Sequence, residues 1–424
     1  SLSTLLLLSR LPLYGVRPSA TSLMSQGPRG TFMELGMGPT ISASVVMQLM
    51  MVSKLLRCDD VQQDRERLRR GEQLLSFVIT LGQAIVYAVS ATSGRVGTVA
   101  VVLQLLFTNT LLIVLDEAMQ SGHGLGGAVT SLFIAAQSSE YVLWKVFSPV
   151  TIDVGRGAEF EGVLPALVQR VSQSRSPGQL LRALSYVTTR PHLVNLCNVA
   201  ATACMIALVV YLDGCHVSIP VHHKDRAHAH GTFPVKLMYA SATPVMLYSM
   251  LLTNFNAISL ALHTRFPEHA LAWALGGWTH LDGRARPTSG LAYYVSAPES
   301  AWEVIHDLPR TCIHVLVITT VCVLFANAWS DLSNTSVAAV TKRFEHDGLV
   351  IRGFRDSSTR RELNRYVPVA LVLGGRSLAL LTVLAGVMGV IGSPAGIVMT
   401  VATMQHYRAV FRSNANRAHA RFEM

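Results

Sequence analysis

The chain has 424 residues, half of them apolar and only 14% charged, with a formal net charge of +10. Its length alone would suggest two or three soluble domains, but so apolar and charge-poor a composition excludes an ordinary soluble protein and points to one embedded in a membrane. Positive charge by itself fits nucleic-acid binding; clustered in a few loops, it fits a basic patch on one side of a membrane protein, with RNA as a partner it would suit.

Apolar runs long enough to cross about 30 Å of hydrocarbon predict ten helical spans, roughly 1–16, 38–55, 73–92, 98–116, 127–147, 193–213, 241–262, 311–331, 368–389 and 393–412. None alternates like a barrel strand. The first begins at Ser1 inside an apolar run, without a methionine or a cleavable signal peptide, so further residues are expected ahead of it.

From Gly27 to Met50 the sequence reads GPRGTFMELGMGPTISASVVMQLM. A short amphipathic turn of helix is predicted over Thr31–Leu35, followed by a break at Gly36, Gly38 and Pro39 and then an apolar helix. Backbone groups freed by Gly and Pro inside a bilayer need partners, so such a break normally lies against a cavity in a bundle. The 56–72 loop carries Arg57, Arg65, Arg67, Arg69 and Arg70. The 332–367 loop carries Lys342, Arg343, Arg352, Arg355, Arg360, Arg361 and Arg365, and the tail adds Arg412, Arg417 and Arg421. This excess marks the cytosolic side, and both termini then face the cytosol.

An amphipathic stretch over 156–190, with Pro165 and Pro177, joins the fifth span to the sixth and divides the chain into five spans and five. The second span of each half opens at a polar break, Gly38-Pro39 in one and Thr243-Pro244 in the other. Matched breaks of this kind are the mark of an inverted repeat around a central pathway. Six cysteines, Cys58, Cys197, Cys204, Cys215, Cys312 and Cys322, form no CxxC pair and read as free thiols. Cys197 and Cys204, seven apart on one helical face, read as small packing residues and not as a redox or metal pair.

Short motifs run through nearly the whole chain in a fixed order. RGTFMELGMGP (29–39) and MQLM (47–50) are followed by ITLGQAIVY (79–87), SLFIA (131–135), WKVFSP (144–149), GRGAEFEG (155–162), FPVKLMY (233–239), LAYYVSAPES (291–300), RELNRYVP (361–368) and IGSPAGI (391–397). Together they resemble the SecY family, in the form of the alpha subunit of the eukaryotic Sec translocon. The long luminal loop 263–310, GGWTHLDGRARPTSGLAYYVSAPES included, resembles that eukaryotic form.

The resemblance implies an all-α membrane protein with ten transmembrane helices in two pseudo-symmetric inverted halves around an hourglass pore. The N-terminal half is 1–155, with a plug region over 17–29 that is shorter than usual and lacks the usual acidic and aromatic residues. A luminal hinge and connection takes 156–192, and the C-terminal half takes 193–424, with cytosolic loops 214–240 and 332–367. By motif alignment the apolar pore ring falls on Met37, Ile41, Thr130, Ile134, Met246 and Met399, with Val129 in place of Thr130 if the extra residue in GGAVTS shifts the register. Apolar rings gate by dewetting, and flexible thioethers suit an opening that closes around many side chains.

Ser42, Gln83 and Asn254 match the family's polar cluster at a lateral gate, where a signal sequence parts the helices to reach lipid. Their alternative is permanent polar glue between helices. Hydrogen bonds of this kind in membranes are worth about 0.6–2 kcal/mol each, weak enough for an arriving helix to exchange. Arg355 and Arg352 in RGFRD match the ribosome-docking loop, with Lys224 and Arg226 standing in for arginines in the other. The histidines of HHKDRAHAHG read as a solvated, weakly basic loop and not a metal site, since no second ligand group stands nearby.

The expected function is that of a translocon channel in the endoplasmic-reticulum membrane, passing unfolded chains and releasing transmembrane helices sideways. Its expected partners are the ribosome, nascent polypeptides and signal sequences, small beta and gamma subunits, and membrane lipid; no catalytic residue, cofactor or metal is implied. The rival is a secondary transporter of small solutes, which also uses inverted repeats and broken helices but needs charge near the midplane. In the ninth span only Arg376 offers it.

Overall fold

The computed structural model describes residues 2–14, 30–53, 63–91, 95–122, 129–153, 158–174, 176–190, 193–223, 230–240, 242–281, 284–298, 301–333, 335–352 and 359–422. Its helices are α1 (Leu2–Leu8), α2 (Gly38–Val52), α3 (Gln63–Ala91), α4 (Arg95–Gly122), α5 (Val129–Phe147), α6 (Val163–Gln173), α7 (Pro177–Thr188), α8 (Leu196–Gly214), α9 (Thr243–Arg265), α10 (Ala270–Leu275), α11 (Gly290–Val295), α12 (Ala301–His306), α13 (Leu308–Leu332), α14 (Val337–His346), α15 (Thr359–Val387) and α16 (Pro394–Phe422). Five of them, α4, α8, α9, α13 and α15, contain windows long and apolar enough to cross a membrane. The helix α2 is only 15 residues long, and α3 opens on the charged stretch QDRERLRR.

Small and large residues separate on the helix surfaces. On α3, Ser76, Thr80, Ala84 and Ala88 repeat every fourth position and are wholly buried, whereas Leu74, Phe77, Val78, Leu81 and Ile85 point outward and are exposed. Small residues let backbones approach, which is how helices associate where lipid is as apolar as leucine. Thr40 of α2 meets Ser76 hydroxyl to hydroxyl at 3.2 Å, and Ala84 and Ala88 pack with Val101 and Leu105 of α4.

Proline begins several of these helices. Pro39, Pro244 and Pro309 sit in the first turns of α2, α9 and α13, where an absent N–H costs nothing. The break before α2 is not the helical turn expected over Thr31–Leu35: Thr31 bridges Pro12 in an antiparallel step, and three successive turns follow, closed by Glu34 N–H to Thr31 O, Gly36 N–H to Met33 O and Gly38 N–H to Leu35 O. Gly36 holds φ +51°, and a side chain there would fall 2.6 Å from the Gln137 amide of α5. A positive φ and a close neighbour both explain glycine at that point.

The structure corrects the all-α expectation, since the molecule is mostly helical but not entirely so. Strands β1 (Thr151–Asp153) and β2 (Ala158–Phe160) pair, as do β5 (Gly277–Leu281) and β6 (Arg284–Ser289). The strands β3 (His216–His223), β4 (His230–Lys236) and β7 (Leu349–Ile351) form an antiparallel sheet in the order β4-β3-β7. The alternation was legible: in β3, Ile219 and Val221 are buried while Ser218 and Pro220 are exposed, the period of a half-buried strand. These strands stand in loops, where a search for long apolar runs does not look.

A second correction concerns α15. It starts at Thr359, so RELNRYVP lies in helix, with Pro368 inside it. Leu363 and Val367 are drawn in because they pack with Ile219, Val221, Val340, Phe344 and Ile351 in an apolar cluster beneath the sheet, and Phe233 meets Phe344 edge to face at 5.1 Å between centroids. This burial outweighs the single backbone bond that proline removes. Likewise α3 begins at Gln63, inside the stretch read as a loop. The main core joins α1, α2, α4, α5, α8, α9, α13, α15 and α16.

Candidate functional site

Met37 caps α2, and its carbonyl accepts the Ile41 N–H at 3.1 Å, so the two side chains lie one turn apart on the same face. Met246 stands in the first turn of α9, its N–H bonded to Ala242 O at 3.3 Å. Met37, Ile41 and Met246 are buried members of one apolar cluster, and Ile134 of α5 and Met399 of α16 pack against it. Five of the six positions expected in a ring, from four helices, therefore belong to or pack against the same core cluster. The side chains of Thr130 and Val129 lie outside the described residues. Met33, Phe133 and Met205 belong to the same cluster; motif matching passed over them, although an apolar residue beside a matched one, as Phe133 is beside Ile134, is a usable signal.

The three polar residues form a chain of hydrogen bonds. Gln83 of α3 donates through Nε2 to Asn254 Oδ1 at 2.9 Å, and Asn254 of α9 donates through Nδ2 to Ser42 Oγ of α2, also at 2.9 Å. Ser42 Oγ in turn stands 3.9 Å from Met250 Sδ. Asn254 is the bridging member. Met250 is the participant that sequence reasoning missed, and its place one turn before Asn254 on α9 was the available clue.

The sheet places one of the basic residues. Arg352 is exposed and its N–H bonds Pro220 O at 3.0 Å, so the segment after β7 is tied to the β3–β4 hairpin. Arg355, Lys224 and Arg226 lie outside the described residues, as do the plug region and Cys58. The other five cysteines are free; Cys197 and Cys204, two turns apart on α8, are both exposed, which corrects their reading as packing residues. Arg376 is exposed on α15 and takes no part in either cluster.

At the end of α5, Glu161 gathers Lys145 Nζ at 2.6 Å, Trp144 Nε1 at 2.9 Å and Ser148 Oγ at 3.3 Å. Burial pushes its carboxyl up, but the Lys145 charge and these donors outweigh burial and hold it below the usual range. Arg10 lies 3.5 Å over the Trp144 ring and 3.0 Å from Glu140. Arg190 is buried and donates to Phe160 O at 2.5 Å. These contacts fasten the 156–190 connection to α5 and the end of the first helix.

These helices, with their shared apolar cluster and the polar chain beside it, define a helical membrane protein of the fold seen in solved protein-conducting channels. A structure described as "The structure of a protein conducting channel" superposes with a TM-score of 0.76 at 23% identity, covering 99% of this chain and 91% of that one. Another, described as Sec61 in the canine ribosome-channel complex from the endoplasmic reticulum, gives a TM-score of 0.75 at 24% identity with the same coverage.

The SecY family model matches residues 31–407. The protein transport protein Sec61 subunit alpha of Pyrenomonas salina is 36% identical over 414 residues, 93% of this chain and 83% of the relative. Its counterpart in Wickerhamomyces anomalus is 37% identical over 418 residues, 95% of this chain and 86% of the relative. The chain belongs to the SecY family.

Proposed function

We propose that the chain is the channel-forming subunit of a protein translocon in the endoplasmic-reticulum membrane. It passes unfolded polypeptides across the bilayer and releases apolar helices sideways between α2–α3 and α9. In this reading ten helices cross the membrane in two halves, 1–155 and 193–424, joined by the connection 156–192, around an hourglass pore. The meeting of Met37, Ile41, Ile134, Met246 and Met399 in one apolar cluster carries the proposal, because a ring of flexible apolar side chains blocks water and ions yet deforms around a passing chain. The relatives named as protein transport subunits support it.

Ser42, Gln83 and Asn254 act as the latch of the lateral gate. The loops 214–240 and 332–367, with Arg352, Arg355, Lys224 and Arg226, form the ribosome-docking surface, and the small beta and gamma subunits complete the complex. The chain has no enzymatic role.

A photocrosslinking residue at Met399 tests this. It is expected to capture a polypeptide arrested during translocation, whereas the same residue at the outward-facing Leu324 is not. Capture at neither site, or equally at both, would remove the central pathway.

Topology gives a second expected outcome. Asn334-Thr335-Ser336 is a glycosylation acceptor sequence on the side of the β3–β4–β7 sheet, which this reading places in the cytosol with both termini. Asn334 lies outside the described residues, and in cells it is expected to remain unmodified by mass spectrometry; glycan there would invert the orientation.

A further inference from the structure

The loop between α9 and α13 holds a two-sided element. Glu303 of α12 turns toward the protein, and Asp307, exposed just past the end of the helix, is tied to it. Glu303 pairs with Arg286 at 3.8 Å and Arg310 at 3.9 Å, and Asp307 accepts from Tyr293 Oη at 2.8 Å. Arg310 closes the knot, donating through Nε to Tyr293 O at 3.0 Å and lying 4.2 Å over the Tyr293 ring. With that face fixed, Trp302 and Ile305, three residues apart, point the other way and are 68% and 66% exposed. The exposed run continues through Leu308 into Ile313, Leu316 and Leu324 on the outer face of α13, a helix long and apolar enough to cross the membrane. His306 meets the Trp302 ring edge-on at 4.7 Å between centroids. Just after α9, the short helix α10 repeats the arrangement: Ala272 is buried, and Leu271 and Trp273 are exposed.

We propose that α12, together with α10, lies in the headgroup–acyl boundary of the bilayer, with Trp302, Ile305, Leu271 and Trp273 in lipid, and that the pair anchors the adjoining ends of α13 and α9 at a fixed depth. The occupant of this surface is lipid and not a protein partner, because the exposed apolar run is continuous with the outward face of α13, a helix long and apolar enough to cross a membrane, and the carboxylate within it, Asp307, is tied back to Tyr293. Amphipathic indoles concentrate at this depth, where the ring is buried and the N–H stays wet. By contrast, the indole N–H groups of Trp144 and Trp278 are tied inside the protein to Glu161 and Ser259. The inference rests on the membrane reading above, and recovery of the protein in nanodiscs tests that reading separately.

The experiment compares tryptophan fluorescence of the wild-type chain with Trp302→Phe and Trp273→Phe, each in nanodiscs containing phosphatidylcholine brominated near the glycerol end or near the methyl end of its acyl chains. The emission lost in each variant is expected to be blue-shifted, quenched more by the shallow bromines than by the deep ones, and little affected by aqueous iodide. A lost component that emits as in water and is quenched by iodide would overturn the proposal. So would one that is blue-shifted but untouched by brominated lipid, which would assign the face to a protein partner.

Discussion

Replacing Gly374 by alanine is expected to cost about 1–3 kcal/mol of stability, the range for overpacking a closely fitted core, and to lower the thermal midpoint of the purified protein in detergent. A Cβ on Gly374 would stand 2.4 Å from the Leu237 carbonyl oxygen, with Met238 Cα close behind at 3.7 Å. Both are backbone atoms, so no side chain can swing aside. The neighbouring glycine provides an internal control: at Gly375 the added carbon would meet Val323 Cα of α13 at 3.2 Å, a contact that a shift of a few tenths of an ångström relieves. Gly375→Ala is therefore expected to be the milder of the two. Leu237 and Met238 lie on the short link from β4 to α9, so the strain enters where Met246 and Asn254 are positioned. Equal midpoints for Gly374→Ala and wild type would show that α15 does not press on that link as described.

How far the sequence disclosed this arrangement depended on the distance over which each signal acts. Long apolar runs gave helices near their observed places for α4, α8, α9 and α13, because burial in hydrocarbon is decided residue by residue along the run. Boundaries failed where burial is tertiary: the early start of α15 comes from Leu363 and Val367 packing beneath the sheet, and nothing within 359–367 alone announces it. The sheet itself was missed although Ile219 and Val221 alternate with exposed neighbours, since His216–His223 sits in a loop read only for its charge. Resemblance, not periodicity, singled out Met37, Ile41, Ile134, Met246 and Met399. In isolation each is an ordinary apolar residue, and only the assembled helices bring them into one cluster. The bridging role of Asn254 could not be read at all, because choosing which of three polar groups lies between the other two requires the relative heights of α2, α3 and α9.

That bridging role determines the expected effect of removing it. Asn254→Ala deletes two hydrogen bonds at once, those to Gln83 Nε2 and Ser42 Oγ, both 2.9 Å long. Inter-helix bonds in membranes average about 0.6 kcal/mol and reach about 1.7, so the closed arrangement loses about 1–2 kcal/mol. The parted arrangement gains besides, since an amide turned toward hydrocarbon needs a partner and a methyl group does not. Both terms favour opening, and the open population is expected to rise by roughly 5- to 30-fold. Gln83→Ala removes one bond and leaves the bond from Asn254 to Ser42, so its effect is expected to be smaller. The double variant is expected to exceed Asn254→Ala only slightly, because the bond between the two positions is already gone. The measurement is translocation of a graded series of signal sequences through channels reconstituted side by side. Weakly apolar signals contribute the least differential affinity for the parted gate and are expected to gain most, while strongly apolar ones change little. Additive effects of the two substitutions would show that Gln83 and Asn254 are not coupled in the closed channel, and a uniform change across the series would show that they hold these helices together without acting as a latch.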